Sequence, residues 1–146
     1  MNDPACELCD TDGGRLILSN ELLRVVLVDA ADFPGFVRVI WNAHVREMTD
    51  LAPDERRRLM ETVFAVECAQ RAVLAPTKIN VASLGNVTPH LHWHVIPRHV
   101  DDSHFPQPIW GRRQRDTAAG TLEARRASLE RLRARVAEEV ARVPRA

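Results

Sequence analysis

Up to Trp41 the apolar residues come in short blocks bounded by turn residues, and beyond Pro53 they recur at every third or fourth position. The blocks predict strands. After the turn signal "DTDGGR" (10–15), "LIL" at 16–18 and "LLRVVLV" at 22–28 flank Ser19-Asn20, and "FVRVIW" (36–41) follows a loop, Asp29 to Gly35, punctuated by Pro34-Gly35. Connections this short join antiparallel neighbours. Leu59, Met60, Val63, Phe64, Val66 and Val73 predict one long amphipathic helix over 53–75, with Asp54 and Glu55 at the positive end of its dipole and Pro76 past the other end. "TKINVAS" (77–83) and "HLHWHVIP" (90–97) read as a second hairpin across "LGNVTP". Residues 98–116, rich in proline and polar groups, read as an extended tail. Leu122, Leu129, Leu132, Val136 and Val140 form a helical stripe, a C-terminal amphipathic helix with one face on the body or on another subunit. The order, without alternating β-α-β units, is that of an α+β fold: an antiparallel sheet of about five strands with helices segregated against it. Residues 1–116 make the main domain with its extended tract, and 117–146 the C-terminal helix of the same domain.

The composition suits one compact domain: 146 residues, 45% apolar and 27% charged. With 20 basic and 20 acidic residues, no bulk charge drives binding to nucleic acid or an anionic membrane, so a bound phosphate must be held locally. The longest apolar run is far short of the ~20 residues a bilayer span needs, and "MNDPACELCD" lacks a signal core; a cytoplasmic protein is expected. Of the 3 cysteines, Cys6 and Cys9 form a Cys-x-x-Cys pair, which under reducing conditions points to metal or redox chemistry. No thioredoxin-like βαβ pattern follows the pair, which favours metal. Cys68, inside the long helix, reads as a small buried apolar residue.

The chemistry concentrates in "PHLHWHVIPRH" (89–99), where His90, His92 and His94 alternate. On a strand these three share one face at about 6–7 Å spacing, while Leu91, Trp93 and Val95 pack on the other. Three readings stand: a polar strand face, a His-x-His metal site completed from elsewhere, or a nucleophile with assistants. A neutral imidazole attacks phosphorus near pH 7 without further activation, and neighbouring imidazoles can order phosphate oxygens or protonate a leaving group.

"HLHWHVI" resembles the signature of the histidine triad (HIT) family, His-φ-His-φ-His-φ-φ with φ apolar. The preceding "NVASLGNVTP" and the upstream "ILSNELLRVVLVDAADFPGFVRVI" are similar to the family's glycine-containing connection and its N-terminal hairpin with a Pro-Gly turn. The likeness spans about residues 6–110, and the chain is similar to the bacterial diadenosine polyphosphate hydrolase-like branch. The resemblance implies a HIT-like fold with sheets joined across a homodimer. It also implies a catalytic trio of His90, His92 and His94: His92 attacks the α-phosphate to give a covalent nucleotidyl-histidine, and His94 contacts phosphate and leaving group. Asn80 and Asn86 stand where the family holds the phosphate and the active strand, Asp29 where it takes the ribose hydroxyls, and Thr88 is the substitute for the hydroxyl residue that Val87 replaces. Phe36 and Trp41 depart from the family's His and Pro, and Val87 from a hydroxyl residue.

Some bacterial relatives hold structural zinc through positions matching Cys6, Cys9, His44 and His90; no cofactor is implied for the chemistry itself. Phe105, Ile109 and Trp110 are apolar in a polar tract and need cover; the family likeness places this segment near the nucleotide and on a partner subunit, with Trp110 as anchor. His99 and His104 read as surface residues, and Arg112, Arg113 and Arg115 as a solvated run. The combined expectation is hydrolysis at the α-phosphate of a dinucleoside polyphosphate, a nucleoside phosphoramidate or a related adenylate bearing a purine. The alternatives are a weakly catalytic nucleotide-binding module, or a nucleotidyltransferase. Family transferases of the uridylyl type carry Gln at the third triad position, where this chain has His94.

Overall fold

The computed structural model describes residues 2–145. A short helix α1 (Glu7–Asp10) leads into strands β1 (Arg15–Ser19), β2 (Leu23–Leu27) and β3 (Val37–Trp41), then helix α2 (Pro53–Leu74). Strands β4 (Lys78–Ala82) and β5 (His92–Arg98) follow, and helices α3 (Ala119–Arg126) and α4 (Leu129–Ala141) close the chain. The strands form one sheet of 5 in the order β1-β2-β3-β5-β4, every neighbour antiparallel. The α+β expectation holds.

Alternation sorts the strand residues onto two faces. Leu23, Val25, Leu27, Val37, Val39, Trp41 and Val95 face α2 and α4, where Leu59, Val63, Val66, Leu132 and Val136 complete the main core. Arg24, Val26, Arg38, Ile40, His92, His94 and Ile96 alternate with them and so occupy the opposite face. Two smaller apolar clusters cover the ends of that second face. Cys6 and Leu8 pack on Val26 and Ile40 at one end, and Phe33, Phe36, Ile96 and Ile109 gather at the other. Between them the triad strand lies under the N-terminal segment and the 99–116 tract.

Helix α2 starts at Pro53, and the Glu55 carboxylate accepts the Ala52 N–H at 2.8 Å, satisfying one of the donors a helix start leaves free. Its buried Gln70 Nε2 donates to the Gly35 and Val95 carbonyls at 2.9 and 2.8 Å, which fixes the helix over β3 and β5. Gly35 sits at φ +92, and a Cβ there would come within 2.5 Å of Leu74, so the Pro-Gly turn needs glycine for both reasons.

Five expectations need correction. The C-terminal helix is two helices, broken at Ala127-Ser128. The ladder of β5 begins at His92, leaving His90 and Leu91 before it. Cys68 is exposed rather than buried, and Phe64 is 49% exposed on α2, because α4 and the sheet cover only the opposite stripe. The 98–116 tract is no extended tail: the Asp102 carboxylate accepts N–H groups from His99, His104 and Phe105, coiling the segment into turns. Among the described residues no helix is long and apolar enough to cross a membrane.

Candidate active site and metal cluster

His92 and His94 project from β5 opposite Ile40 and Arg38 of β3. The Nδ1 of His92 lies 2.5 Å from the His90 carbonyl oxygen. A carbonyl only accepts, so Nδ1 carries the proton and Nε2 is left as a bare lone pair. Ser83 Oγ donates to the His92 carbonyl at 2.6 Å, holding the same residue from the neighbouring connection. Burial lowers the pKa of His92, the His90 carbonyl partly offsets this, and the Arg38 charge lowers it further. At neutral pH the Nε2 is therefore unprotonated.

His94 is enclosed by rings: His92 at 4.8 Å between centroids, Trp110 at 5.0 Å and Phe36 at 5.5 Å, all close to edge-on. Its Nδ1 is buried without a partner. Burial, then the His92 and Arg38 charges, push its pKa down to about 3. Trp110 belongs to the same chain and is 51% exposed, so it covers His94 while keeping one face open.

His90 faces a different group. Its Nε2–H donates to the Trp41 carbonyl at 2.6 Å, which leaves the Nδ1 lone pair pointing to Cys6 Sγ and Cys9 Sγ, both at 3.5 Å. His44 Nδ1 stands 3.4 Å from Cys9 Sγ, and the four candidate ligand atoms all lie within 4.8 Å of one another. The Asp3 N–H donates to Cys9 Sγ at 3.4 Å. Such a backbone-fixed imidazole and hydrogen-bonded sulfur are the outer contacts that orient metal ligands. Arg24 secures the segment carrying the cysteines by donating to the Leu8, Thr11 and Asp12 carbonyls and to Asn42.

The HIT domain profile matches residues 13–101, more than half of the chain. The chain belongs to the HIT domain family. The HIT fold recurs in solved structures. A histidine triad protein from Bradyrhizobium japonicum is 27% identical, with 81% of this chain and 92% of that one covered at a TM-score of 0.65. A histidine triad protein from Marinobacter aquaeolei is 22% identical over 99% of this chain and 100% of that one, TM-score 0.72. A zinc-bound histidine triad family protein from Mycobacterium smegmatis is 23% identical over 92% and 94%, TM-score 0.63. No curated protein matches the chain significantly.

Within this HIT domain the other sequence-predicted residues scatter. Asn80, on β4, accepts at its Oδ1 a hydrogen bond from the Arg98 guanidinium at 2.8 Å. Thr88 is half-buried, and its carbonyl accepts the His90 N–H at 2.8 Å; Asn86 is exposed in the same connection. Asp29 is exposed and lines a depression of about 370 Å³ with Arg15, Leu27, Arg126 and Leu129, none of them a triad residue. His104 and His99 are half-buried rather than fully exposed: His104 lies 5.4 Å from Phe33, ring to ring, and the His99 Nε2 is buried. Arg112, Arg113 and Arg115 are exposed, as a solvated run requires, and two of them are also tied down. Arg113 pairs with Asp32 and Asp116, and Arg115 donates to the Asp102 and Phe105 carbonyls.

Three groups escaped the sequence reading. Arg38 stands on the triad face beside His94. Arg98 is 2% exposed and doubly bonded to Asp102, and Ser83 holds the triad strand. The alternation of "FVRVIW" places Arg38 on the triad's side of the sheet, but only the β3–β5 register brings it there.

Proposed function

We propose that this HIT protein is a nucleotidyl hydrolase of the diadenosine polyphosphate hydrolase-like branch. Its substrates are purine nucleotides joined through the α-phosphate to a leaving group: a dinucleoside polyphosphate, a phosphoramidate or a related adenylate. The observation that carries the reading is the His92 tautomer, with Nδ1–H committed to the His90 carbonyl and Nε2 left as a free lone pair. Family membership supports it at a coarser level, since HIT proteins are nucleotide-binding hydrolases or transferases.

In the first step the Nε2 lone pair forms a bond to the α-phosphorus while the bond from phosphorus to the leaving oxygen or nitrogen breaks. The leaving atom keeps that electron pair and takes a proton from water, because His92 retains its Nδ1–H and neutral His94 has no acidic proton to give up. His92 is then a phosphoryl-substituted imidazolium, stabilised by the His90 carbonyl at Nδ1–H. In the second step water attacks the same phosphorus, the N–P bond breaks, the water proton is released, and the nucleoside monophosphate departs. His94, held neutral, stands beside His92 to order phosphate oxygens by hydrogen bonding, and Trp110 packs edge-on against His94 and shields it from bulk water. Asp29, Asn80, Asn86 and Thr88 remain our candidates for holding the nucleotide.

We assign zinc to Cys6, Cys9, His44 and His90. Zn–S near 2.3 Å and Zn–N near 2.05 Å give a tetrahedral S···N edge of about 3.5 Å, and the three contacts above are 3.4 or 3.5 Å. A zinc-bound relative of this fold adds support. All four positions come from protein, so the ion is structural: it fastens α1 to the start of the triad strand, and no substrate position remains on it. We also propose a homodimer with joined sheets, since β4 is an edge strand and its exposed Val81 and nearby Leu84 offer apolar surface.

Turnover of adenosine 5′-phosphoramidate and diadenosine tetraphosphate tests the function. Wild type is expected to release AMP, and His92→Asn to lose at least ~1000-fold in kcat; comparable activity in the variant would refute the assignment.

A further inference from the structure

The triad face carries a cation whose donors are largely unspent. Arg38 is the cross-strand neighbour of His94, on the same face and about 5 Å away at Cβ. Its one hydrogen bond among the described residues runs from Nη1 to the Gly13 carbonyl at 3.1 Å, and its Nε is buried with no partner. The guanidinium carbon sits 5.6 Å from the Phe36 ring centroid. The other arginines of this face are spent. Arg24 is bonded to three carbonyls and Asn42, and Arg98 to Asp102, Asn80 and the Gln107 carbonyl. Lys78 turns its Nζ onto the Ile79 carbonyl at 2.6 Å.

A half-buried guanidinium with unmet donors costs folding energy unless something else pairs with it. The reaction inferred above needs positive charge where His94 cannot supply it, because His94 is neutral across the physiological range. A phosphate oxygen meets both requirements: it accepts from the fork of N–H groups and brings the compensating charge. We propose that Arg38 is the phosphate-binding cation of this site, taking an oxygen of the nucleotide phosphate on which His92 acts. The inference rests on the hydrolase reading and deepens it.

The N-terminal segment sets the guanidinium in place. Gly13 has φ +78, and a Cβ there would stand 2.7 Å from Leu8 and 2.8 Å from Ile40. Only glycine lets the loop after α1 lie close enough to present its carbonyl to Arg38. The metal cluster, which holds Cys6 and Cys9, thus also holds the strap that orients Arg38.

Calorimetric titration of wild type and Arg38→Met with AMP and, separately, with adenosine distinguishes the cases. The expected result is an AMP affinity about 10- to 100-fold weaker in the variant, an unchanged adenosine affinity, and a melting temperature equal to or above wild type. Arg38→Gln, closer in shape, is expected to show the same selective loss and serves if the methionine variant misfolds. Equal loss for AMP and adenosine would mean that Arg38 stacks on the base and would overturn the proposal, as would unchanged AMP affinity. Binding of neither ligand by wild type would bring down the hydrolase reading itself, and the Arg38 role with it.

Discussion

Replacing Asp102 by alanine removes the acceptor on which the whole 99–116 tract converges. Its carboxylate takes N–H groups from Arg98 twice and from His99, His104 and Phe105, and both charged side chains are 2% exposed. Truncation leaves the Arg98 guanidinium buried without its counter-charge, a loss of about 3–5 kcal/mol. That is a large share of the ~5–15 kcal/mol that stabilises an ordinary domain. Adding Arg98→Met to the variant is expected to recover part of the loss by removing the stranded charge; the three backbone donors stay unmet, so recovery is incomplete. Urea unfolding of wild type, both single variants and the double variant gives the coupling directly. The pH dependence has a definite sign. Burial alone would raise the Asp102 pKa, but the Arg98 bonds and the backbone donors outweigh it and hold it at about 2. The pair's stabilisation is therefore complete above the unfolded value of about 3.9 and is lost as pH falls toward 2, an amount of about 2–3 kcal/mol. A stability change below about 1 kcal/mol in Asp102→Ala, or the absence of coupling to Arg98, would refute the reasoning.

Cys9→Ser is expected to reduce bound zinc from about one ion per chain to a small fraction of that, measured by elemental analysis, and to lower the melting temperature, since metal affinity is folding energy. An unchanged zinc content would contradict the assigned ligand set. His94 binds no proton in the folded state until about pH 3, whereas the unfolded chain binds one near pH 6.5, so folding weakens as pH falls through that window. At pH 5 this amounts to about 2 kcal/mol, and His94→Phe should flatten that part of the urea-midpoint profile; an unaltered slope would sink the explanation. Gly13→Ala should destabilise by about 1–3 kcal/mol and weaken AMP binding together with it, because the added Cβ displaces the carbonyl that holds Arg38. A variant as stable as wild type would show that the loop accommodates a side chain after all.

The strands and α2 were legible because period-2 blocks and a period-3.6 stripe differ in kind, and because Pro34-Gly35 and Pro76 mark their limits. His92 and His94 were legible for the same reason, as alternation on one strand, whereas His90 precedes the ladder and turns to Cys6 and Cys9. The Cys6, Cys9, His44, His90 cluster was reached through family likeness rather than spacing, because His44 arrives only when β3 ends beside the start of β5. What failed depended on which surface covers which. Cys68 follows the helical pattern yet faces solvent, and the apolar stripe of the C-terminal helix continues across Ala127-Ser128 without signalling the break. The 98–116 tract read as loose because its order comes from one buried carboxylate, and a single Asp among many polar residues carries no periodic signal. Nothing in the local pattern sets Arg38 apart from any other polar position in a strand. Its meaning lies in its cross-strand partner, which local pattern does not name.

The central claim is that the Nε2 of His92 bonds covalently to the nucleotide phosphorus. Wild type mixed with diadenosine tetraphosphate for milliseconds, quenched in base and digested for mass spectrometry should carry an adenylyl group on the peptide containing His92. His92→Ala should carry none and should not turn over. Release of AMP by the wild type with no adduct at any quench time, or turnover by the alanine variant at the wild-type rate, would contradict the account.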